Sequence, residues 1–228
     1  MRRFRDYAVG VTQVRVRERT YELLHPADPD ALLENPAVSA RFEADGYMPY
    51  WAQLWPASLL LAEVVAAWGP AGRPAPRVLE IGCGLGLVSL VLADLGYCVL
   101  ATDYEADALA FTLENARRNG VPPPQTRLLD WREVYPGLSF DRILAADTLY
   151  ETRHLRPVAE FVQAHLEPGG LALIADANRC TADDFATVAR HCGLAVDTTP
   201  VERHGAPGDR PVRGRVFTLR RQGAGGAG

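Results

Sequence analysis

The sequence predicts an α/β fold: a seven-stranded, mostly parallel sheet with helices on both faces, plus an N-terminal β-hairpin/helical annex. Three observations carry that prediction. From Arg77 onward, short apolar runs alternate with amphipathic stretches, the rhythm of parallel strands joined by covering helices. The first run, Val78 to Gly86 (VLEIGCGLG), passes into three glycines where a strand must bend into a helix. The 228 residues are 48% hydrophobic and 23% charged, enough to fill one large core.

The annex comes first, over residues 1–72. Val14 and Val16, then Tyr21 and Leu23, alternate with charged residues, which predicts a hairpin across 11–24 with one wet face. Capping and proline signals open short helical stretches at Asp30 to Glu34 and Pro36 to Ala44. An aromatic knot of Tyr47, Tyr50, Trp51 and Trp55 leads into an apolar helix over Ala57 to Trp68, and GPAGRPAP (69–76) is a linker.

The main domain is expected over 73–222. Strands are predicted near 77–81, 97–102, 125–129, 141–146, 171–175, 194–198 and 212–219, and helices near 86–95, 105–118, 152–166 and 182–192. The helix over 105–118 places Leu109, Leu113 and Ala116 on one stripe and ends at Gly120. EPGG (167–170) turns the next helix into the fifth strand, and the glycine-rich segment 223–228 reads as a disordered tail.

Composition removes several functions. Twenty-four basic residues against 28 acidic give a net charge of −4, which argues against a nucleic-acid or anionic-lipid partner. All 24 are arginines, so neither a P-loop lysine nor a Schiff-base lysine exists. Cys83, Cys98, Cys180 and Cys192 form no CxxC pair, and the five histidines show no HExxH or HxH spacing, so no metal site is expected. No apolar run approaches the ~18 residues of a membrane span, and the basic start is followed by alternating charges instead of an apolar leader core. A cytoplasmic location is expected; nothing specifies an oligomeric state.

The glycine loop separates ligand types. Gly82, Gly84 and Gly86 open the turn, but position 87 is leucine where the dinucleotide fingerprint needs glycine. Glu80, two residues upstream of the loop, would repel a pyrophosphate and attract an ammonium group. S-adenosylmethionine is a ligand with an ammonium and no phosphate. Asp103, closing the second strand, is placed to accept from two ribose hydroxyls. Asp130 and Trp131, closing the third, suit an adenine amine and its ring face. Each has a plainer reading: Asp103 as a helix cap, Trp131 as core, Glu80 as the partner of an arginine.

On these residues the chain resembles the class I, seven-β-strand, S-adenosylmethionine-dependent methyltransferases, which share a Rossmann-like sheet. Their acidic-x-Gly-x-Gly-x-Gly motif stands here as Glu80, Gly82, Gly84 and Gly86, with Asp103 at the ribose-binding position and Leu166, Pro168, Gly169 and Gly170 as the LxPGG turn. PYWAQLWP (49–56) and DTLY (147–150) resemble the lysine-methyltransferase-like group, whose DxxY signature falls on Asp147 and Tyr150. That resemblance implies that Trp55 closes the cofactor pocket and that Asp147 and Tyr150 are the catalytic pair.

The implied function is N-methylation of a protein side chain, lysine, by in-line displacement. The alternatives are a small-molecule amine N-methyltransferase and a catalytically silent cofactor-binding scaffold. The (D/N)PPY motif of nucleic-acid amino-methyltransferases is absent. A lysine amine of pKa near 10.4 is neutral in about one molecule in a thousand at pH 7.4, a penalty of roughly 4 kcal/mol. A bare carboxylate beside it would stabilise the ammonium, so Asp147 is expected to orient the acceptor and not to deprotonate it. Tyr150 would fix the lone pair or wall the channel. DTLY could instead cap the helix near Glu151; Trp51 and Trp55 could be core and Cys83 a buried filler, and His154, near the expected substrate mouth, is either a base or, the plainer reading, a surface residue.

Overall fold

Strand-end residues can share a site only if their strands lie side by side and point the same way. The computed structural model, which describes residues 2–34, 36–205 and 210–222, arranges them so. β4 (Arg77–Ile81), β5 (Cys98–Asp103), β6 (Gln125–Leu128), β7 (Phe140–Ala146) and β8 (Leu166–Asp176) run parallel. β9 (Leu194–Arg203) and β10 (Val212–Arg221) complete a seven-stranded sheet of order β6-β5-β4-β7-β8-β10-β9, with β10 antiparallel to both neighbours. The seven expected strands are all present. The tail expected to be disordered lies outside the described residues.

Strand alternation divides the core in two. One face carries Val78, Leu144, Leu173 and Val216 against α2 (Pro56–Ala66) and α3 (Leu87–Asp94). The other carries Leu79, Ile81, Ile143, Ala172 and Ile174 against α5 (Leu155–His165) and α6 (Phe185–His191). The helix expected within the annex, α2, thus covers the main sheet directly.

The annex has a second sheet of three strands, β1 (Arg3–Phe4), β2 (Tyr7–Val16) and β3 (Arg19–Pro26). Val14 pairs with Tyr21, and Val14, Val16, Tyr21 and Leu23 all enter the core on the α2 side. Two asparagines of α4 (Ala106–Arg118 and the residue that caps it) stand in for a neighbouring strand. Asn115 donates to Leu24 O and accepts from Leu24 N, and Asn119 does the same at Glu22. The Asn115 amide also donates to Leu85 O at 2.9 Å, tying the hairpin to the glycine loop. α1 (Pro36–Asp45) follows a short 3-10 turn at Asp30–Glu34.

Two expectations change. Leu113 is exposed, and α4 instead buries Phe111, Thr112 and Asn115. Its inner face must meet loop and hairpin backbone, so polar residues occupy a stripe that apolar spacing alone assigns to leucine. The EPGG turn is drawn into β8, which pairs with β7 from Leu166 onward through an irregularity between Phe140 and Arg142.

Candidate functional site

A cavity of about 360 Å³ opens off the carboxyl ends of β4, β5, β7 and β8, where open α/β sheets take their ligands. Its floor is the glycine loop between β4 and α3. Gly84 N donates to Asp103 Oδ2 at 2.9 Å, and Glu105 N donates to Asp103 Oδ1 at 3.0 Å. Asp103 therefore is not the cap of α4, whose N-cap is Glu105; it pins the loop to the end of β5. Burial pushes its carboxyl up to about 6, against the pull of the two backbone donors.

Asp130 and Trp131 line the same end of the cavity. The Asp130 carboxylate accepts three hydrogen bonds from the Arg132 guanidinium and one from its backbone N–H. Burial pulls Asp130 upward, but those bonds and the Arg132 charge outweigh it and hold the carboxyl below its usual range. Trp131 meets His154 edge to face at 5.0 Å.

Glu80 is placed differently from the expectation that it faces an ammonium. It does not line the cavity. Alternation along β4 turns it with Val78 toward α3, where the Ser89 hydroxyl donates to it, and no arginine pairs with it among the described residues. Burial raises its carboxyl to about 8. Such a group is protonated in the folded chain and ionised in the unfolded one across roughly pH 4.5 to 8, so stability is lost as pH rises through that window, at about 1.4 kcal/mol per pH unit. Glu80→Gln is expected to flatten the fall in melting temperature between pH 5 and 8; an unchanged slope in thermal scans would show that the carboxyl is ionised in the fold.

The far end of the cavity is built by the end of β7 and the start of α2. Asp147 sits in the left-handed region (φ 54), buried. Its Oδ2 accepts from Ala57 N at 2.8 Å, capping α2, and its Oδ1 accepts from Arg179 Nε at 3.0 Å. The DTLY aspartate is thus a helix cap, but of α2 and not of the helix near Glu151. Trp55, the N-cap residue of α2, donates from Nε1 to Tyr50 O at 2.6 Å and lines the cavity. Trp51 is core, against Phe111 and Tyr7.

Aromatic rings run in sequence along the wall. Trp55 meets Tyr50 at 5.5 Å, Tyr50 meets Tyr150 at 4.8 Å, Tyr150 meets His154 at 4.6 Å, and His154 meets Trp131. Burial raises the Tyr150 phenol to about 12, so it stays protonated at neutral pH and can donate a hydrogen bond but not readily its proton. His154 is buried, not a surface residue; desolvation lowers its pKa, and its Nδ1 has no hydrogen-bond partner among the described residues. No helical spacing rule links it to Tyr150, because Tyr150 and Glu151 lie before the 3-10 turn Thr152–His154; their contact is set by the loop after β7. Arg179, Thr148 and Ser58 also line the cavity and were not singled out from sequence. Arg179 stands a few residues past the end of β8, as Asp130 and Asp147 follow β6 and β7, while Asp103 is the last residue of β5.

The donor set fits S-adenosylmethionine: a loop floor of bare backbone, a buried carboxylate that would take the ribose, an indole for the adenine, and space beyond for the tail. Among the described residues no group of three or more potential ligands could hold a metal, and no helix is long and apolar enough to cross a membrane.

Comparison with known proteins agrees with this geometry. Residues 50–205 match a family model described as a methyltransferase domain. The histone-arginine methyltransferase METTL23 of Xenopus laevis is 26% identical over 94% of this chain and 97% of its own length. The protein N-lysine methyltransferase METTL21A of Danio rerio is 36% identical over 43% of this chain and 48% of its own. In fold, the chain is similar to a TehB-like SAM-dependent methyltransferase from Corynebacterium glutamicum, with a TM-score of 0.56 and 19% identity over 85% of this chain and all of that one. With two-thirds of its length under that family model and the seven-stranded sheet beneath it, the chain belongs to the methyltransferase-domain family and is an S-adenosylmethionine-dependent methyltransferase.

Proposed function

We propose that the protein methylates a nitrogen of a protein side chain, lysine foremost. The observation that carries this reading is the ring wall of Trp55, Tyr50, Tyr150, His154 and Trp131, which runs along the cavity from Trp131 beside Asp130 to Trp55 at the start of α2. S-adenosylmethionine, when bound, supplies an electrophilic methyl group on a sulfonium. The chain's residues must bring a neutral nitrogen in line with it and exclude water.

A ring-lined channel desolvates an entering amine and so favours its neutral form, which offsets part of the ~4 kcal/mol deprotonation penalty. Asp147 does not undo that gain. Both its oxygens are engaged, by Ala57 N and Arg179 Nε, so its charge is already met and it acts as a positioning residue for α2 and the channel wall. Tyr150, protonated and ringed by Tyr50 and His154, walls the channel and orients the acceptor. The acceptor's proton leaves to water as the site closes. The METTL21A likeness supports lysine; arginine is the second reading, favoured by the whole-length alignment with METTL23.

The test is transfer of radiolabelled methyl into proteins and small molecules of a source-cell lysate, followed by acid hydrolysis of the labelled protein. Methyllysine in a discrete protein band, lost with Asp147→Ala, is the expected result; methylarginine selects the second reading, and label confined to small molecules overturns both. For a lysine acceptor the rate should rise about tenfold per pH unit below the amine's pKa. A flat profile from pH 6 to 10 would contradict loss of the proton to water.

A further inference from the structure

The tail of an S-adenosylmethionine molecule carries an ammonium and a carboxylate. Glu80, turned to Ser89 behind the loop, leaves the loop side of the cavity without the charge that its sequence position suggested. The opposite wall holds a cation. Arg179, just after β8, is fixed at one edge by Nε to Asp147 at 3.0 Å, and its guanidinium carbon lies 5.4 Å from the Trp55 ring. Among the described residues nothing accepts from its two Nη groups, and the side chain is 33% exposed, on the cavity.

The other arginines of the cavity are committed. Arg132 is bound to Asp130 through two nitrogens, and Arg153 to Glu151 through two. Around Arg179 the positive end of α2 and two guanidiniums, its own and that of Arg215, stand with two carboxylates, Asp147 on Arg179 Nε and Asp176 on the Arg179 backbone N–H, and neither carboxylate occupies the Nη edge. Donors lie nearby. Ser58 lines the cavity from the first turn of α2, and Thr148 keeps a buried hydroxyl with no hydrogen-bond partner among the described residues. A planar fork held at Nε, packed against an indole and free at both Nη groups suits a carboxylate bound through two parallel hydrogen bonds.

We propose that Arg179 is the clamp for the carboxylate of the cofactor's amino-acid tail. This rests on S-adenosylmethionine as the cavity's ligand and adds a residue to its site; it makes no use of the acceptor's identity. The clamp sets how deep the tail sits, and therefore where the reactive methyl points along the ring-lined channel. Asp147 acts through Arg179 as well as through α2, which couples the closing turn of β7 to cofactor position.

Calorimetry with two nucleosides tests it without any methyl acceptor. S-adenosylhomocysteine carries the amino-acid tail; 5′-methylthioadenosine has the same nucleoside and thioether but no carboxylate. Arg179→Gln is expected to weaken S-adenosylhomocysteine by about tenfold to a hundredfold, the worth of a charged hydrogen-bonded pair, and to leave methylthioadenosine within about twofold. Arg179→Lys should recover part of the loss, because it restores the charge and not the fork. Equal weakening of both nucleosides would mean that the variant damages the cavity generally, and unchanged S-adenosylhomocysteine binding would mean that the fork serves another group; either result overturns the clamp. Failure of the wild type to bind either nucleoside would instead remove the cofactor assignment, and the clamp with it.

Discussion

Asp103→Ala is expected to weaken S-adenosylhomocysteine binding by more than about a hundredfold, the largest effect of any single side chain in the cavity. The substitution removes three things together. It takes away the acceptor for Gly84 N at 2.9 Å, the acceptor for Glu105 N at 3.0 Å, and the charge that would receive the ribose hydroxyls. Hydrogen bonds to a charged group are worth about 1.5–3 kcal/mol each, so loss of the ribose pair alone exceeds two powers of ten.

Asp103→Asn separates shape from charge. It keeps one oxygen for a loop amide and should retain a weakened site. Because burial raises the Asp103 carboxyl to about 6, the wild type should lose cofactor affinity as pH falls below that value, and the asparagine variant should show no such dependence. Stability moves the other way. A carboxyl that protonates more readily folded than unfolded costs stability as pH rises from about 4 to 6, so the wild type's melting temperature should fall across that window more steeply than that of Asp103→Asn. Calorimetric titration and thermal scans from pH 5 to 8 read both; a wild-type affinity that is flat across pH 6 would show that the acid form is never populated.

The second large effect is on folding. Gly86 is the N-cap of α3 with φ 84, and a Cβ there would lie 2.6 Å from both Cγ2 and Oγ1 of Thr112. Thr112 cannot yield easily, since it is fully buried and its hydroxyl donates to Gly84 O at 3.1 Å. Left-handed backbone costs an L-residue about 1–2 kcal/mol and overpacking about 1–3 kcal/mol, so Gly86→Ala should destabilise the fold by about 2–5 kcal/mol. In a chain of this size that lowers the melting temperature by roughly 10 °C.

Two companions isolate the cause. Gly169→Ala has the same sign of φ, 79, with open space around it, and should show the backbone cost alone. Thr112→Ala should restore part of the loss in the Gly86→Ala background, a coupling that independent sites would not give. A Gly86→Ala variant no less stable than Gly169→Ala would refute the steric account.

Much of this protein was legible in one dimension, because the signals involved are local. Strand and helix order follows from apolar period, the loop follows from glycines that must adopt positive φ, and Asp103, Asp130 and Asp147 stand where strands end, which is where an open parallel sheet exposes its ligand crevice. The methyltransferase assignment rests on that local layer together with the family match. What tertiary structure alone decided is the direction of side chains and the partners they find. Glu80 lies inside a strand, not at its end, so the pleat sends it to a face of the sheet and into α3, away from the crevice. Asp147 meets Ala57 N and Arg179 Nε, partners far along the chain that no spacing rule connects to it. The ring wall gathers Tyr50 and Trp55 from before the sheet, Trp131 from after β6 and Tyr150 and His154 from after β7. Local periodicity is set by neighbours a few residues apart, whereas a cavity is set by which strands pair, and strand order is a property of the packed sheet.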